Sequence, residues 1–169
     1  MKLQPDIIHL KESNNRTFLH HCAYTGKNEA LSLLLEIDCE QINERDDYHY
    51  TALILAAIRG HSTSIEVLIQ HGADVNIKNS NGNTALIQAA DNGRLTSVDI
   101  LLQHCADANI QNDSGYTALV YAANANHSDC VNMLLQNNAD VNLKNSSGQT
   151  AYDLATTDVI KNMIKEHSR

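Results

Sequence analysis

Apolar residues along this chain follow two helical patterns that alternate and recur every 33 residues. The first pattern opens with Thr-Ala-Leu or Thr-Ala-Tyr at Thr51, Thr84, Thr117 and Thr150, and a degenerate copy begins 34 residues before the first, at Thr17. In the three central copies, a leucine and two consecutive alanines fall on one face of a helix. A threonine hydroxyl can accept hydrogen bonds from the first free N–H groups of that helix. The sequence therefore predicts a short capped helix at the start of each unit.

A second apolar pattern follows each of these short helices. Its residues are spaced i, i+3, i+4, which places them on one stripe of a helix. The stripe comprises Ile65, Leu68 and Ile69 in one unit, Val98, Leu101 and Leu102 in the next, and Val131, Leu134 and Leu135 in the third. Such a stripe cannot be buried within a single unit, so the next unit must cover it. The sequence thus predicts an all-α protein in which helix pairs stack into a solenoid.

The loop that leads from one unit to the next has a pattern of its own. After the second helix the chain reads GADVN at 72–76, CADAN at 105–109 and NADVN at 138–142. Glycine suits the left-handed end of a helix, and asparagine is the next best choice. Aspartate and asparagine side chains commonly accept hydrogen bonds from nearby backbone N–H groups. We therefore expect these aspartates to hold the loops rather than to act as paired catalytic carboxylates.

These features together resemble the ankyrin repeat family. The family signature combines a period of about 33 residues, a T-P-L-H-x-A start and a β-turn followed by two helices. Matching segments here read TFLHHCAYTGK (17–27), TALILAAIRGH (51–61), TALIQAADNGR (84–94) and TALVYAANANH (117–127). Alanine replaces the family's proline throughout, which keeps the helix but loses its rigid entry, at Ala52, Ala85, Ala118 and Ala151. The resemblance implies an α-solenoid built from a β-turn finger and two antiparallel helices per repeat.

The resemblance covers nearly the whole chain, and we expect one continuous ankyrin repeat domain over residues 1–169. A lead at 1–12, with a short helix at Pro5–Lys11, is expected to cover the first repeat. Four full repeats and a C-terminal half-repeat cap then follow, at 13–45, 46–78, 79–111, 112–144 and 145–169.

Composition excludes several classes of partner. The chain carries 12 Lys and Arg against 20 Asp and Glu, a net charge of −8, and it has no basic run. Nucleic acids and anionic membrane surfaces are bound through clustered positive charge, so neither is an expected partner. No apolar stretch approaches the roughly 20 residues that a bilayer requires, and the start lacks the apolar core of a secretory signal. We expect a cytoplasmic monomer.

Candidate catalytic and metal-binding residues all have structural explanations. His20, His21 and Cys22 are neighbours on a helix, so their side chains point about 100° apart and cannot pair as base and nucleophile. The resemblance implies that His20 makes hydrogen bonds between repeats. The four cysteines form no CxxC pair, and Cys22 and Cys130 fall at buried helical positions. His71 and His104 would lie on packed helices roughly 8–10 Å apart, too far to share a metal. We predict no catalytic site, cofactor or metal.

In ankyrin proteins the finger tips and the exposed ends of the first helices line the concave face, which is the usual partner-binding surface. By resemblance, the partner-binding residues would be Arg16, Tyr24, Asp47, Tyr48, His49, Tyr50, Ile58, Arg59, Asn83, Asp91, Asn92, Tyr116 and Asn124. Four of the six tyrosines are in this set. Tyrosine and arginine are enriched at interface hot spots, so the second repeat is the expected anchor.

The second repeat also departs from the family's finger. Glycine occupies the turn in the later fingers, where positive φ is required, but His49 stands there in the second. The substitution indicates either strain or a different turn at a functional site, or simple sequence drift.

The sequence therefore predicts a protein-interaction module without catalysis, which binds a partner protein or an extended peptide on its concave face. One alternative is a bacterial effector delivered into a host cell, where it binds a host protein. Another is an ankyrin domain of a larger protein whose activity lies elsewhere.

Overall fold

Ten α-helices provide the regular structure in the computed structural model, which describes residues 11–12 and 14–168. In chain order they are α1 (Phe18–Thr25), α2 (Asn28–Ile37), α3 (Ala52–Arg59), α4 (Ser62–Gln70), α5 (Ala85–Asp91), α6 (Leu95–Gln103), α7 (Ala118–Asn124), α8 (Ser128–Gln136), α9 (Ala151–Leu154) and α10 (Asp158–His167). A 3₁₀ helix at Glu40–Asn43 follows α2. The helix predicted at Pro5–Lys11 lies outside the described residues except for Lys11, which forms an isolated antiparallel bridge with Thr17.

The helices form two layers. Helices α1, α3, α5, α7 and α9 pack in sequence order as the first layer, and α2, α4, α6, α8 and α10 pack as the second. The two helices of each repeat also pack against each other. This arrangement confirms the predicted all-α solenoid of helix pairs. Within the described part of the chain, every helix is too short or too polar to cross a bilayer.

Threonine caps begin α3, α5, α7 and α9, as predicted. The Thr51 hydroxyl oxygen accepts from the Ile54 N–H at 3.3 Å. The same bond recurs at 3.3 to 3.4 Å at Thr84, Thr117 and Thr150. Each cap satisfies one of the N–H groups that a helix start leaves free, typically stabilising the helix by ~1 kcal/mol.

The interior is apolar and nearly the same in each central repeat. Leu53, Leu86 and Leu119 are at most 1% exposed. The alanine pairs at 56–57, 89–90 and 122–123 are fully buried, because only small side chains leave room for the next first-layer helix. In the second layer most of each predicted stripe is buried, with 0% exposure at Ile65, Leu68, Val98, Leu101, Val131 and Leu134. Ile69 and Leu102 are half-buried against the core. Each fully buried aliphatic side chain contributes roughly 1.5–3 kcal/mol.

The second residue after each of α4, α6 and α8 is left-handed. Gly72 has φ +92°, and Cys105 and Asn138 take the same conformation at φ +62° and +61°. Glycine has no Cβ and adopts this conformation without a clash, whereas Cys105 and Asn138 adopt it at a steric cost. The loop pattern therefore keeps its geometry even where the glycine is replaced.

Aspartate and asparagine hold the loops on the second-layer side, also as predicted. Asp74 Oδ1 accepts from the Asn76 N–H at 2.9 Å within its own loop. Asn76 Oδ1 then accepts from the Asp107 N–H of the next repeat at 3.0 Å. Equivalent bonds between repeats join Asn43 to Asp74 and Asn109 to Asp140, at 2.9 and 2.7 Å. The carboxylates are thus part of the scaffold.

Candidate functional site

Each finger is fixed by a polar side chain at its base. In repeat 2, Asp46 Oδ1 accepts from the backbone N–H groups of Tyr48 and Tyr50, both at 2.9 Å. The Asp46 N–H donates to the Tyr50 carbonyl at 3.0 Å and closes the turn. Asparagine makes the same bonds in the later fingers, at Asn79, Asn112 and Asn145. These fingers therefore share one backbone and differ in the side chains at their tips.

Adjacent fingers are joined by one backbone hydrogen bond at each junction. The Ser80 N–H donates to the Tyr48 carbonyl at 3.0 Å, and Ser146 donates in the same way to Ser114 at 3.0 Å. Corresponding bonds link Asp47 to Asn14 at 3.1 Å and Asp113 to Asn81 at 3.2 Å. The finger tips form a continuous edge with a fixed spacing, which is the scaffold on which the predicted concave face is built.

His49 keeps the finger turn that glycine makes elsewhere. Its φ is +58°, against +77°, +78° and +76° at Gly82, Gly115 and Gly148. A Cβ built on Gly82 would lie 2.6 Å from the Asp113 backbone nitrogen, so that finger has no room for a side chain. The left-handed conformation costs a non-glycine residue roughly 1–2 kcal/mol. The structure therefore places strain, rather than a different turn, in the second finger.

Tyr48 projects from the tip of this finger. Its side chain is 62% exposed, the largest exposure of any aromatic residue in the described chain. Its backbone is held on both sides, by Asp46 at the N–H and by Ser80 at the carbonyl. The ring is therefore presented from a rigid backbone.

Tyr24 and Arg59 form a pair that joins the first two repeats. Tyr24 lies near the end of α1 and is 39% exposed, and Arg59 ends α3. The guanidinium carbon of Arg59 lies 5.0 Å from the centre of the Tyr24 ring. A cation over an aromatic face at this distance gains about 0.5–1 kcal/mol at an exposed site. Both members belong to the predicted partner-binding set, and the structure brings them together.

The second aromatic pair is half-buried. Tyr116 lies 5.3 Å from Tyr121 between ring centres, with the planes tilted by 43°. Asn112 Nδ2 donates to the Tyr121 hydroxyl at 3.1 Å and to Asn83 Oδ1 at 2.8 Å. Tyr121 is not among the predicted partner-binding residues, so its contact with Tyr116 was not predicted from the sequence.

The structure changes the interpretation of Asn83, one of the predicted partner-binding residues. The residue is only 8% exposed, because its side chain accepts the hydrogen bond from Asn112 of the next finger. It is therefore a contact between repeats rather than an exposed recognition residue.

The remaining predicted positions divide between scaffold and free surface. Arg16 Nε donates to the buried Asp46 carboxylate at 3.0 Å, so this arginine helps to fix the second finger. Tyr50 and Ile58 are half-buried against the core. The other members are exposed, namely Asp47, Asp91, Asn92 and Asn124. The exposed aromatic and cationic side chains of the set thus concentrate in the first two repeats.

A recurring side-chain hydrogen bond lies at the edge where first-layer helices end and second-layer helices begin. It was not predicted from the sequence. His61 Nε2 lies 3.2 Å from the Tyr24 carbonyl, and Arg94 Nε donates to the Ile58 carbonyl at 3.3 Å. His127 Nε2 lies 3.1 Å from the Asp91 carbonyl. Each side chain reaches back one repeat and satisfies a carbonyl at a helix end. The available signal was the basic residue that recurs as the eleventh residue of each motif, at 27, 61, 94 and 127.

His20 has the structural role that the resemblance implied. The Thr17 N–H donates to His20 Nδ1 at 3.2 Å, and His20 Nε2 donates to the Tyr50 carbonyl of the next repeat at 2.9 Å. This pattern requires a neutral ring with its proton on Nε2. Burial lowers the pKa of His20 below its usual value, which favours the same neutral form.

The buried thiols are chemically quiet. Cys22 and Cys130 are free and buried, as predicted. Burial raises the pKa of Cys22, and burial together with Asp129 raises the pKa of Cys130 to about 11, so both remain protonated near neutrality. Cys39 and Cys105 are free and exposed. Within residues 11–12 and 14–168, no three His, Cys, Asp or Glu side chains converge on a point where a metal could bind.

The structure is a stack of helix pairs with hydrogen-bonded fingers, and the chain matches the model of a known family. A family model described as ankyrin repeats (3 copies) matches residues 3–79 and 72–145. The chain belongs to the ankyrin repeat family.

Curated relatives share the repeat but are far longer. Delta-latroinsectotoxin-Lt1a of Latrodectus tredecimguttatus is 40% identical over 77 residues, which cover 45% of this chain and 6% of that protein. Protein fem-1 homolog A of Homo sapiens is 40% identical over 63 residues, covering 37% of this chain and 9% of the relative. BCL-6 corepressor-like protein 1 of Homo sapiens is 33% identical over 73 residues, covering 43% and 4%. The chain thus matches less than a tenth of each relative's length, so the similarity concerns the repeat.

Proposed function

We propose that this chain binds a partner protein, through an extended segment of that partner, on its concave face. Ankyrin repeats are generally protein-interaction modules. The observation that carries the proposal is that Tyr24, Tyr48 and Arg59 are all exposed on the first two repeats, with Arg59 over the Tyr24 ring. We name these three residues the anchor cluster. These are exposed side chains of the types most often found at hot spots, and they project from the first two repeats.

Parts of the anchor cluster are held in place before any partner arrives. The Tyr48 backbone is bonded at both its N–H and its carbonyl, and Arg59 is held against the Tyr24 ring. Ordering a flexible side chain on binding costs about 0.5–1.5 kcal/mol, so prior order favours affinity. Each ring also offers a large apolar area with a hydroxyl at its edge.

The rest of the concave face suits hydrogen bonding to an extended chain. Asn92 and Asn124 are exposed on the third and fourth repeats, and Asp91 and Asp113 add negative charge nearby. The half-buried ring of Tyr116 is the main aromatic surface there. A partner segment is therefore expected to place an apolar or aromatic residue on the first two repeats and polar groups further along. No catalytic step is part of this proposal, and the monomeric state and cytoplasmic location predicted from the sequence belong to it.

The proposal is tested by affinity capture from cell lysate followed by mass spectrometry, with a double and a single Tyr→Ala variant. Tyr24→Ala combined with Tyr48→Ala removes two rings of the anchor cluster. Tyr152→Ala removes a ring that is 41% exposed in α9 and does not belong to the predicted partner-binding set. We expect a protein that wild type and the Tyr152→Ala variant retain and that the double variant loses.

Circular dichroism checks that both variants keep the helical content of wild type. Equal retention by all three proteins would show that the partner binds elsewhere, and would refute the assignment to the anchor cluster.

A further inference from the structure

A cleft between repeats 2 and 3 adjoins the anchor cluster at the start of α6. It has a volume of about 190 Å³ and is lined by Arg59, Gly60, Arg94, Leu95, Thr96 and Ser97. It combines two guanidinium groups with the N-terminal turn of a nine-residue helix, whose dipole favours negative charge. This is a locally positive site on a chain of net charge −8.

Neither arginine of the cleft has a carboxylate partner in the described part of the chain, where the ion pairs are Lys11–Glu44 and Arg16–Asp46. Arg94 is held by its Nε bond to the Ile58 carbonyl, and Arg59 by the Tyr24 ring. Both side chains are thus positioned at the cleft, and their charges remain available to an anion.

The first turn of α6 has unused donors. Its N-cap residue, Arg94, supplies no side-chain acceptor. The backbone N–H groups of Thr96 and Ser97 donate to no backbone carbonyl of the described residues. Ser97 is 1% exposed, and its hydroxyl is the one buried side-chain oxygen or nitrogen in residues 11–12 and 14–168 that lacks a hydrogen-bond partner. Buried polar groups are nearly always paired, so an acceptor bound in the cleft would satisfy this hydroxyl.

Neighbouring repeats lack this combination. Ser64, the equivalent serine of repeat 2, donates to Asn28 Oδ1 at 2.6 Å and is satisfied. In repeat 4 the equivalent residue is Cys130, and the corresponding cleft contains His127 and Asp129 in place of the arginine and the threonine. A carboxylate in the first turn would repel an anion. The cleft between repeats 2 and 3 is therefore distinct in its charge and in its unpaired hydroxyl.

We infer that this cleft binds a phosphomonoester group of the partner protein, carried by a phosphoserine or a phosphothreonine. A phosphate accepts several hydrogen bonds at once, and helix N-termini and arginine guanidinium groups are the donors that suit it best. The donors here are the N–H and hydroxyl groups of Thr96 and Ser97 and the guanidinium groups of Arg59 and Arg94. The inference rests on the proposed function, because the phosphate belongs to the partner segment.

Arg59 connects the two surfaces. It is a member of the anchor cluster and also lines the cleft, so a segment that lies on the cluster reaches the cleft directly. The net charge of −8 opposes the approach of nucleic acids and anionic membranes, which are the other large sources of phosphate. A phosphorylated protein segment carries one such group without an extended negative surface.

The test is a nuclear magnetic resonance titration of the full ¹⁵N-labelled chain at constant ionic strength. The probes are inorganic phosphate, a Gly-phosphoserine-Gly peptide and the unphosphorylated Gly-Ser-Gly peptide. We expect saturable shifts of the Thr96 and Ser97 amide signals with both phosphate probes and none with the unphosphorylated peptide. The amides of Ser128 and Asp129, at the start of α8, are the internal control and are expected to stay unchanged.

A matched variant separates binding from folding. Thr96→Asp introduces the residue type that repeat 4 carries at Asp129, so it favours the helix start but repels a phosphate. We expect the thermal unfolding midpoint to be at least that of wild type and the phosphopeptide affinity to fall about tenfold, which is about 1.4 kcal/mol.

Three results would overturn the inference: equal shifts at the starts of α4, α6 and α8, binding of inorganic phosphate without binding of the phosphopeptide, or equal affinity in the Thr96→Asp variant. The titration uses no partner, so its result is independent of the capture experiment. A negative capture experiment with a positive titration would reject the anchor cluster alone.

Discussion

Residues at equivalent positions of consecutive repeats are nearly constant in the interior between repeats but vary on the concave face, although the same helices form both. In the interior, Leu53, Leu86 and Leu119 repeat one residue at one burial, and alanine pairs recur beside them. On the concave face, equivalent positions change from Arg59 to Asn92 in consecutive repeats. The difference shows that packing fixes the interior, because each repeat must fit its neighbour, whereas the exposed tips carry no such constraint.

The largest change in the free energy of unfolding is expected from truncating a buried side chain of the interior. Leu86→Ala removes a side chain that is 1% exposed, and should reduce the free energy of unfolding by about 2–5 kcal/mol. Leu33→Ala is the matched change at a surface leucine that is 56% exposed, and should cost less than about 0.5 kcal/mol. Urea denaturation followed by circular dichroism measures both. Similar losses in the two variants would show that burial does not distinguish these positions.

A pH change tests His20, a titratable residue that is buried in the interior. The folded chain holds His20 neutral with a lowered pKa, whereas the unfolded chain takes up a proton near the ordinary value of 6.5. The unfolded state therefore binds more protons, so stability is full above about pH 6.5 and falls as the pH decreases below it.

We expect a smaller free energy of unfolding at about pH 5.5 than at about pH 7.5, on the two sides of the ordinary histidine pKa. His20→Gln removes this titration and should make the difference smaller, which separates His20 from the other histidines. An unchanged pH dependence in the variant would contradict the role assigned to the buried ring.

The smallest change in the free energy of unfolding is expected from substitutions in the fingers. His49→Gly should raise the free energy of unfolding by about 1 kcal/mol, because glycine adopts positive φ without strain. Gly82→Ala at the equivalent finger should lower it, because the new Cβ would lie 2.6 Å from the Asp113 nitrogen. Thermal unfolding of the two variants measures both signs. A loss of stability in His49→Gly would mean that the histidine side chain contributes more than its backbone strain costs.

Features that depend on nearby residues were predictable from the sequence. The threonine caps, the aspartate loops and the left-handed helix ends each involve groups a few residues apart, so their spacing defines them. The period of the stripes at Leu68, Leu101 and Leu134 also determined the order of the helices, since each stripe requires a neighbouring repeat.

Features that depend on pairing between repeats were not predictable in detail. Asn83 occupies a tip position, and only its bond to Asn112 explains its burial. The cleft at Ser97 was missed for a related reason, since the serine is distinctive only because Ser64 finds a partner and Ser97 does not. Aligning the repeats shows a serine, a serine and a cysteine at this position, but not which hydroxyl is satisfied.

The bonds between the outer loops make the length of the molecule adjustable in whole units. Asn76 to Asp107 and Asn109 to Asp140 are the same bond at successive junctions. A duplication or deletion of one 33-residue repeat would leave the same hydrogen bond at each remaining junction. A whole repeat can therefore be gained or lost with the remaining junctions unchanged, whereas an insertion of a few residues would alter the one repeat that receives it.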